Sequence, residues 1–115
     1  MSKAKIVCLC GSTKFKKDFD RVAEEETLKG NIVLTVHVFR HCLSGAKLTE
    51  KQCWELDQIH QQKILLSDEV IIINKNKYTG LGTCDEIGFA WAHGKVVKFM
   101  EYIPREFTEY VEEGE

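Results

Sequence analysis

The stretch that decides the fold is Glu69-Val70-Ile71-Ile72-Ile73-Asn74 and the segment that follows it, Tyr78-Thr79-Gly80-Leu81-Gly82-Thr83-Cys84-Asp85-Glu86-Ile87-Gly88. The first part is a short, continuous β-branched run, the pattern of a central parallel strand covered on both faces. The second is a glycine-bearing loop that enters a helix and delivers a carboxylate, Glu86, close to the start of that helix. Gly80 and Gly82 are expected to let the loop turn tightly and bring its backbone near a ligand.

Working outward from this strand-loop-helix unit, the chain alternates strand and helix. Ala4–Cys10 reads as the first strand. Lys14–Lys29 reads as a helix with Phe15, Phe19, Val22, Ala23 and Leu28 roughly along one face, ended by Gly30. Asn31–Val36 is the second strand, and residues 37–48 are the longest loop, with no periodicity and a Ser44-Gly45 break. Thr49–Ser67 is the second helix, opened by Thr49 and Gln52 in the spacing of a capping box. The third helix runs from about Cys84 to His93, Gly94 stops it, and Lys95–Met100 is the fourth strand. After Pro104, residues 105–115 are expected to form a short helix that frays in the acidic terminus.

Strands and helices alternating at this spacing, joined by right-handed crossovers, build a parallel sheet with helices on both faces. The expected architecture is α/β, a small flavodoxin-like or Rossmann-like sheet in the order 2-1-3-4. In that order the chain reverses between strands one and three, and ligands bind beyond the carboxyl ends of the strands at the reversal. Gly11-Ser12-Thr13-Lys14 and residues 74–83 meet there.

Composition limits what the chain can be. With 115 residues and 43% hydrophobic content it is expected to be one domain, residues 1–115, able to bury a single core. A net charge of -2 argues against a protein that neutralises many phosphates of a polymeric nucleic acid, while leaving room for one small anion. There is neither an apolar leader nor an apolar run of about 18 residues, so the expectation is a cytoplasmic protein that does not span a membrane. Five cysteines without CxxC spacing read as reduced thiols, several of them buried. His37, His41 and Cys42 lack the companions a metal site needs, and neither a metal nor a cofactor is expected.

Three groups of residues carry the candidate chemistry. Gly11, Ser12 and Thr13 end a strand and open a helix, so backbone N–H groups, two hydroxyls and a helix dipole converge beside Lys14, a plausible phosphate seat. The plainer alternative is that Ser12 or Thr13 caps the helix; the spacing of a Walker loop is absent. Glu86 is the candidate catalytic carboxylate. With Thr83 as N-cap it would instead occupy the third helical position and complete a capping box. On the second helix, Cys53, Asp57, His60 and Ile64 fall on one stripe, so two ionisable groups interrupt a partly apolar face. Asp57 and His60 are candidate catalytic residues, against the alternatives of a surface ion pair and a satisfied buried histidine. Tyr78 is the best placed aromatic for stacking on a base, whereas Phe15 and Trp91 read as core.

The segment from Asp57 through Asp68-Glu69-Val70-Ile71-Ile72-Ile73, together with "GLGTCDEIGFA", "GKVVKFME" and the opening "IVCLCGSTKF", resembles the nucleoside 2-deoxyribosyltransferase-like family, which includes the 2'-deoxynucleoside 5'-phosphate N-hydrolases. The likeness covers roughly residues 4 to 101, and its most specific element is the strand-loop-Glu-helix unit. It implies that Glu86 attacks the anomeric carbon of a sugar, that Gly11, Ser12 and Lys14 hold a 5'-phosphate, and that the subunits form a homo-oligomer. An Asp on the preceding helix supports catalysis in the family. Asp57 matches it by type, while His60 occupies the place that spacing from Asp68 assigns to it. The implied partner is a small nucleoside or nucleotide. The competing class is a noncatalytic nucleotide-binding or sensor module on the same fold.

Overall fold

A computed structural model describes residues 3–40 and 47–103. Four parallel strands, β1 (Ile6–Gly11), β2 (Ile32–Leu34), β3 (Glu69–Ile73) and β4 (Val96–Phe99), form one sheet in the order β2-β1-β3-β4. Three helices connect them: α1 (Lys16–Leu28), α2 (Glu50–Leu66) and α3 (Leu81–Ala92). The architecture is α/β with the 2-1-3-4 order expected from the alternation of elements.

Strand alternation divides the core in two. Val7 and Leu9 of β1 and Ile71 and Ile73 of β3 point to one face, where Phe19 and Val22 of α1 and Phe39 cover them. Cys8, Cys10, Val70 and Ile72 point to the other, against Ile64 of α2 and Ile87 and Ala90 of α3. Every residue of β3 is buried, which is why its sequence is apolar without alternation. Glu69 is the exception at its first position: its carboxylate pairs with Lys5 at 2.8 Å and with Lys98 of β4 at 2.6 Å.

The helix starts differ from expectation in an instructive way. Thr49 caps α2 with the full reciprocal box: its hydroxyl accepts from Gln52 N–H, and the Gln52 side chain accepts from Thr49 N–H. In α3 the N-cap is Gly80, not Thr83, and the helix begins at Leu81. Thr83 is therefore inside the first turn, Glu86 lies in the second, and the capping-box alternative for Glu86 falls away. The expected helix from Lys14 is split: a short 3-10 turn, Thr13–Phe15, precedes α1. The second strand is shorter than expected, Ile32–Leu34. The expected terminal helix, and His41 and Cys42, lie outside the described residues.

Tight turning after β3 comes from Asn76 and Lys77, both in the left-handed region (φ 56° and 62°), and not from Gly80 or Gly82. Asn74 anchors this turn. Its fully buried amide donates to the Glu101 carbonyl at 3.0 Å and accepts from the Glu101 N–H at 2.8 Å, while the Glu101 carboxylate accepts from Asn76 N–H at 2.8 Å. At the end of β1 a glycine is required. Gly11 has φ 153°, and a Cβ there would sit 2.7 Å from the Ile73 carbonyl oxygen on β3.

Candidate active site

The two loops at the chain reversal, with α2 above them, enclose a cavity of about 420 Å³ beyond the carboxyl ends of β1 and β3. Gly11, Ser12, Thr13 and Lys14 line it from the β1 side. Tyr78, Gly80, Gly82, Thr83 and Glu86 line it from the β3–α3 side, and Asp57 and His60 from α2. The residues singled out in the sequence thus share one wall-to-wall space, although no single stretch of chain contains them.

Glu86 is half-buried, with its Oε2 3.5 Å from His60 Nε2. Burial pushes its carboxyl up to about 7, with Cys8 and Asp57 adding to the rise and His60 and Arg40 opposing it. His60 is buried, which alone would lower its pKa, yet Cys8 and the Glu86 carboxylate outweigh burial and raise it above the ordinary histidine value. The result is an imidazole whose charged form is favoured beside a carboxyl whose charged form is disfavoured, in a mostly buried corner where charges interact more strongly than in water. Below them Cys10 Sγ touches His60 Nε2 at 3.2 Å. The two thiols titrate as a pair. Cys10 and His60 draw Cys8 down to about 6 against burial, and Cys10 is pushed well above the usual thiol value by Cys8 and by burial.

The other residues occupy more exposed ground. Asp57 is exposed and pairs with Arg40 Nη2 at 2.8 Å; Arg40 also donates to the Cys53 carbonyl. Ser12 caps the 3-10 turn, its hydroxyl accepting from Lys14 N–H at 3.4 Å. Lys14 Nζ stands 3.7 Å from the centre of the Tyr78 ring, and Phe15 meets that ring edge-on. One face of Tyr78, expected to stack on a base, is thus covered by Lys14. Phe15 and Trp91 pack against the two cores, as their sequence contexts suggested.

Sequence reasoning missed Arg40, Lys63 and Phe89, which also line the cavity. Arg40 follows β2 in the aperiodic segment, where no pattern points inward. Lys63 sits one turn beyond His60 on α2 and donates to the Thr35 carbonyl at 2.6 Å, tying the helix to the end of β2. With Lys14, Arg40 and Lys63 bring three cations to a cavity that Asp57, Asp85 and Glu86 also line, Arg40 being paired with Asp57.

The chain matches no family profile and no curated protein. A solved structure shares its fold. The CMP N-glycosidase BcmB of Clostridium botulinum superposes with a TM-score of 0.59 at 22% identity, over 95% of this chain and 81% of that one. Among the described residues no helix is long and apolar enough to cross a membrane.

Proposed function

We propose that this protein cleaves or transfers the N-glycosidic bond of a nucleoside or its 5'-monophosphate, with Glu86 acting at the anomeric carbon, in the manner of the nucleoside 2-deoxyribosyltransferase-like family. The observation that carries the reading is the half-buried Glu86 carboxylate in the wall of the reversal-point cavity, paired with His60 at 3.5 Å. The fold shared with a CMP N-glycosidase supports it.

Breaking the bond leaves positive charge on the sugar, and a carboxylate is the group that stabilises such charge or captures it as an ester. In the proposed first step the Glu86 oxygen bonds to the anomeric carbon as the carbon–nitrogen bond breaks, and the base departs with a proton. Water then yields free sugar, or a second base yields a new nucleoside. Displacement puts the leaving base on the far side of the carbon from Glu86. His60, 3.5 Å from that carboxylate, is on the near side. Its role in this reading is to hold Glu86 ionised and aimed, which leaves the cavity-lining Asp57 and Asp85 as the carboxyls able to serve the base. Lys14, Arg40 and Lys63, with the Gly11–Thr13 turn, would receive a 5'-phosphate. A homo-oligomer is part of the proposal: Trp54, Ile59, Leu65 and Leu66 are exposed along α2, an apolar surface that self-association would cover.

The test is chromatographic detection of free base from a panel of deoxynucleosides, ribonucleosides and their 5'-monophosphates, with and without an acceptor base. Wild type should release base, and Glu86→Ala should lose about 10³-fold or more in turnover while still binding the ligand. Normal turnover in Glu86→Ala would falsify the mechanism. Thermal stabilisation by a nucleotide with no product from any compound would establish the binding module instead.

A further inference from the structure

Under the cavity floor, two thiols that the glycosidic reading leaves unused, Cys8 and Cys10, converge with a third metal-ligating side chain, His60. Cys8 and Cys10 alternate with Val7 and Leu9 on β1, so both thiols leave the sheet on the face packed against α2 and α3. His60 descends on them from α2. Its Nε2 is 3.2 Å from Cys10 Sγ, and an imidazole nitrogen and the two sulfurs all lie within 4.8 Å of one another, every residue buried. Glu86 Oε2 approaches His60 Nε2 from the cavity at 3.5 Å.

We propose that Cys8, Cys10 and His60 form a binding site for a divalent cation of the zinc class, with the Glu86 carboxylate in its fourth, cavity-facing position, so that the bound cation withholds Glu86 from a sugar. The inference stands on the side-chain cluster, and only its inhibitory consequence rests on the glycosidic reading.

The donor set and its spacing both favour zinc. Two thiolates and an imidazole select zinc-class ions over magnesium or calcium, which take oxygen ligands. Tetrahedral zinc with sulfur at about 2.3 Å and nitrogen or oxygen at about 2.0–2.2 Å keeps neighbouring ligand atoms roughly 3.3–3.8 Å apart. The separations of 3.2 Å and 3.5 Å already lie within a few tenths of that range. The two sulfurs and the imidazole nitrogen, all within 4.8 Å of one another, reach tetrahedral spacing with about 1 Å of movement, whereas Glu86 lies outside that cluster and must turn from its contact with His60 to take the fourth position. The thiols are fully enclosed, while His60 and Glu86 line the cavity, so the cation enters past the fourth ligand. Binding expels to solvent the protons still carried by the two thiols and by the His60 ring nitrogen that ligates, and the two thiolates neutralise the dication.

Cobalt(II) titration of the reduced, metal-stripped full-length protein tests the site. The expected result is a thiolate-to-cobalt charge-transfer band in the near ultraviolet with the intense visible bands of tetrahedral cobalt, bleached by equimolar zinc and accompanied by proton release in weak buffer. Cys8→Ala and Cys10→Ala should each weaken cobalt binding by about tenfold or more, whereas Cys53→Ser should bind as wild type does. Absence of the charge-transfer band in wild type, a result that depends on no variant folding, overturns the site; so does a band unchanged in both alanine variants. Glu86→Ala should weaken binding and alter the visible bands, and unchanged binding and bands would remove Glu86 as the fourth ligand. In the base-release assay zinc should slow wild type and a chelator should restore it. Full activity with the site occupied overturns the inhibitory role. Absence of base release from the metal-free protein counts against the glycosidic reading alone, because the cobalt spectra report the site and its Glu86 ligand independently of turnover.

Discussion

His60 Nε2 and Glu86 Oε2 stand 3.5 Å apart, an imidazole from the middle of α2 against a carboxylate from the second turn of α3. Neither helix fixes this contact alone. It exists because Ile64 of α2 and Ile87 and Ala90 of α3 pack on the same sheet face, where the side chains of Cys8, Cys10, Val70 and Ile72 present an apolar bed. Core packing therefore sets the position of the candidate catalytic carboxylate, and the polar contact above the core sets its orientation.

This contact separates His60 from Asp57, the other ionisable member of the same stripe. His60→Gln removes the charged partner of a half-buried carboxylate, and base release is expected to fall by about 10²-fold with ligand binding preserved. Asp57 is exposed and paired with Arg40, and such solvated pairs contribute about 0–1 kcal/mol. Asp57→Asn removes only a solvated ion pair and leaves Asp85 to serve the base, so it is expected to lose no more than about fivefold in base release, the factor that 1 kcal/mol represents. Steady-state kinetics on both variants decide the matter, and the reverse ranking would make Asp57 the proton donor to the base.

The sequence carried the sheet more fully than the site. The unbroken Val70–Ile73 run has the length and β-branched composition of a doubly covered strand, and Thr49 with Gln52 states its capping geometry in the residues themselves. The start of α3 was misread because a glycine N-cap has no side chain to advertise it, while Thr83-Cys84-Asp85-Glu86 imitates a capping box. The sequence points to Gly80 and Gly82 for the tight turn after β3, and not to Asn76 and Lys77, because a lysine seldom adopts the left-handed conformation. Cys8, Cys10 and His60 meet through a strand–helix packing that no local spacing encodes.

Gly11 is expected to tolerate no side chain. Its backbone is in a region that L-residues rarely adopt, and a methyl group would collide with a backbone oxygen of the neighbouring central strand, which cannot swing away. Gly11→Ala should cost about 2–4 kcal/mol, read as a lower midpoint in chemical denaturation with an unchanged slope. A variant as stable as wild type would show that the close approach of β1 to Ile73 is not required.

Asn74 links the ligand-facing turn to the end of β4 through both atoms of its amide. Asn74→Ala leaves the Glu101 N–H and carbonyl without these partners and should destabilise the fold by about 2 kcal/mol. Amide hydrogen exchange should show the loss first in residues 75–80, whose turn depends on Glu101 through Asn76. Uniform loss of protection across the sheet, with the turn no faster than the rest, would contradict this local role.

Acid sensitivity is expected to trace to Glu69 at the opposite end of β3. Burial acts to raise its pKa, but the ion pairs to Lys5 and Lys98 prevail and hold it below the ordinary carboxylate value. A carboxyl depressed by folding binds fewer protons in the native state than in the unfolded one, so its contribution to stability is complete above the unfolded value and disappears as pH falls through the folded value. Both lysines are solvated, so screening by water and salt reduces what the ion pairs contribute at neutral pH. Denaturation midpoints measured at pH 7 and at stepwise lower pH should fall less steeply for Glu69→Gln than for wild type, because glutamine keeps hydrogen-bonding capacity but has no proton to gain. Parallel slopes for the two proteins would move the acid sensitivity to another carboxylate.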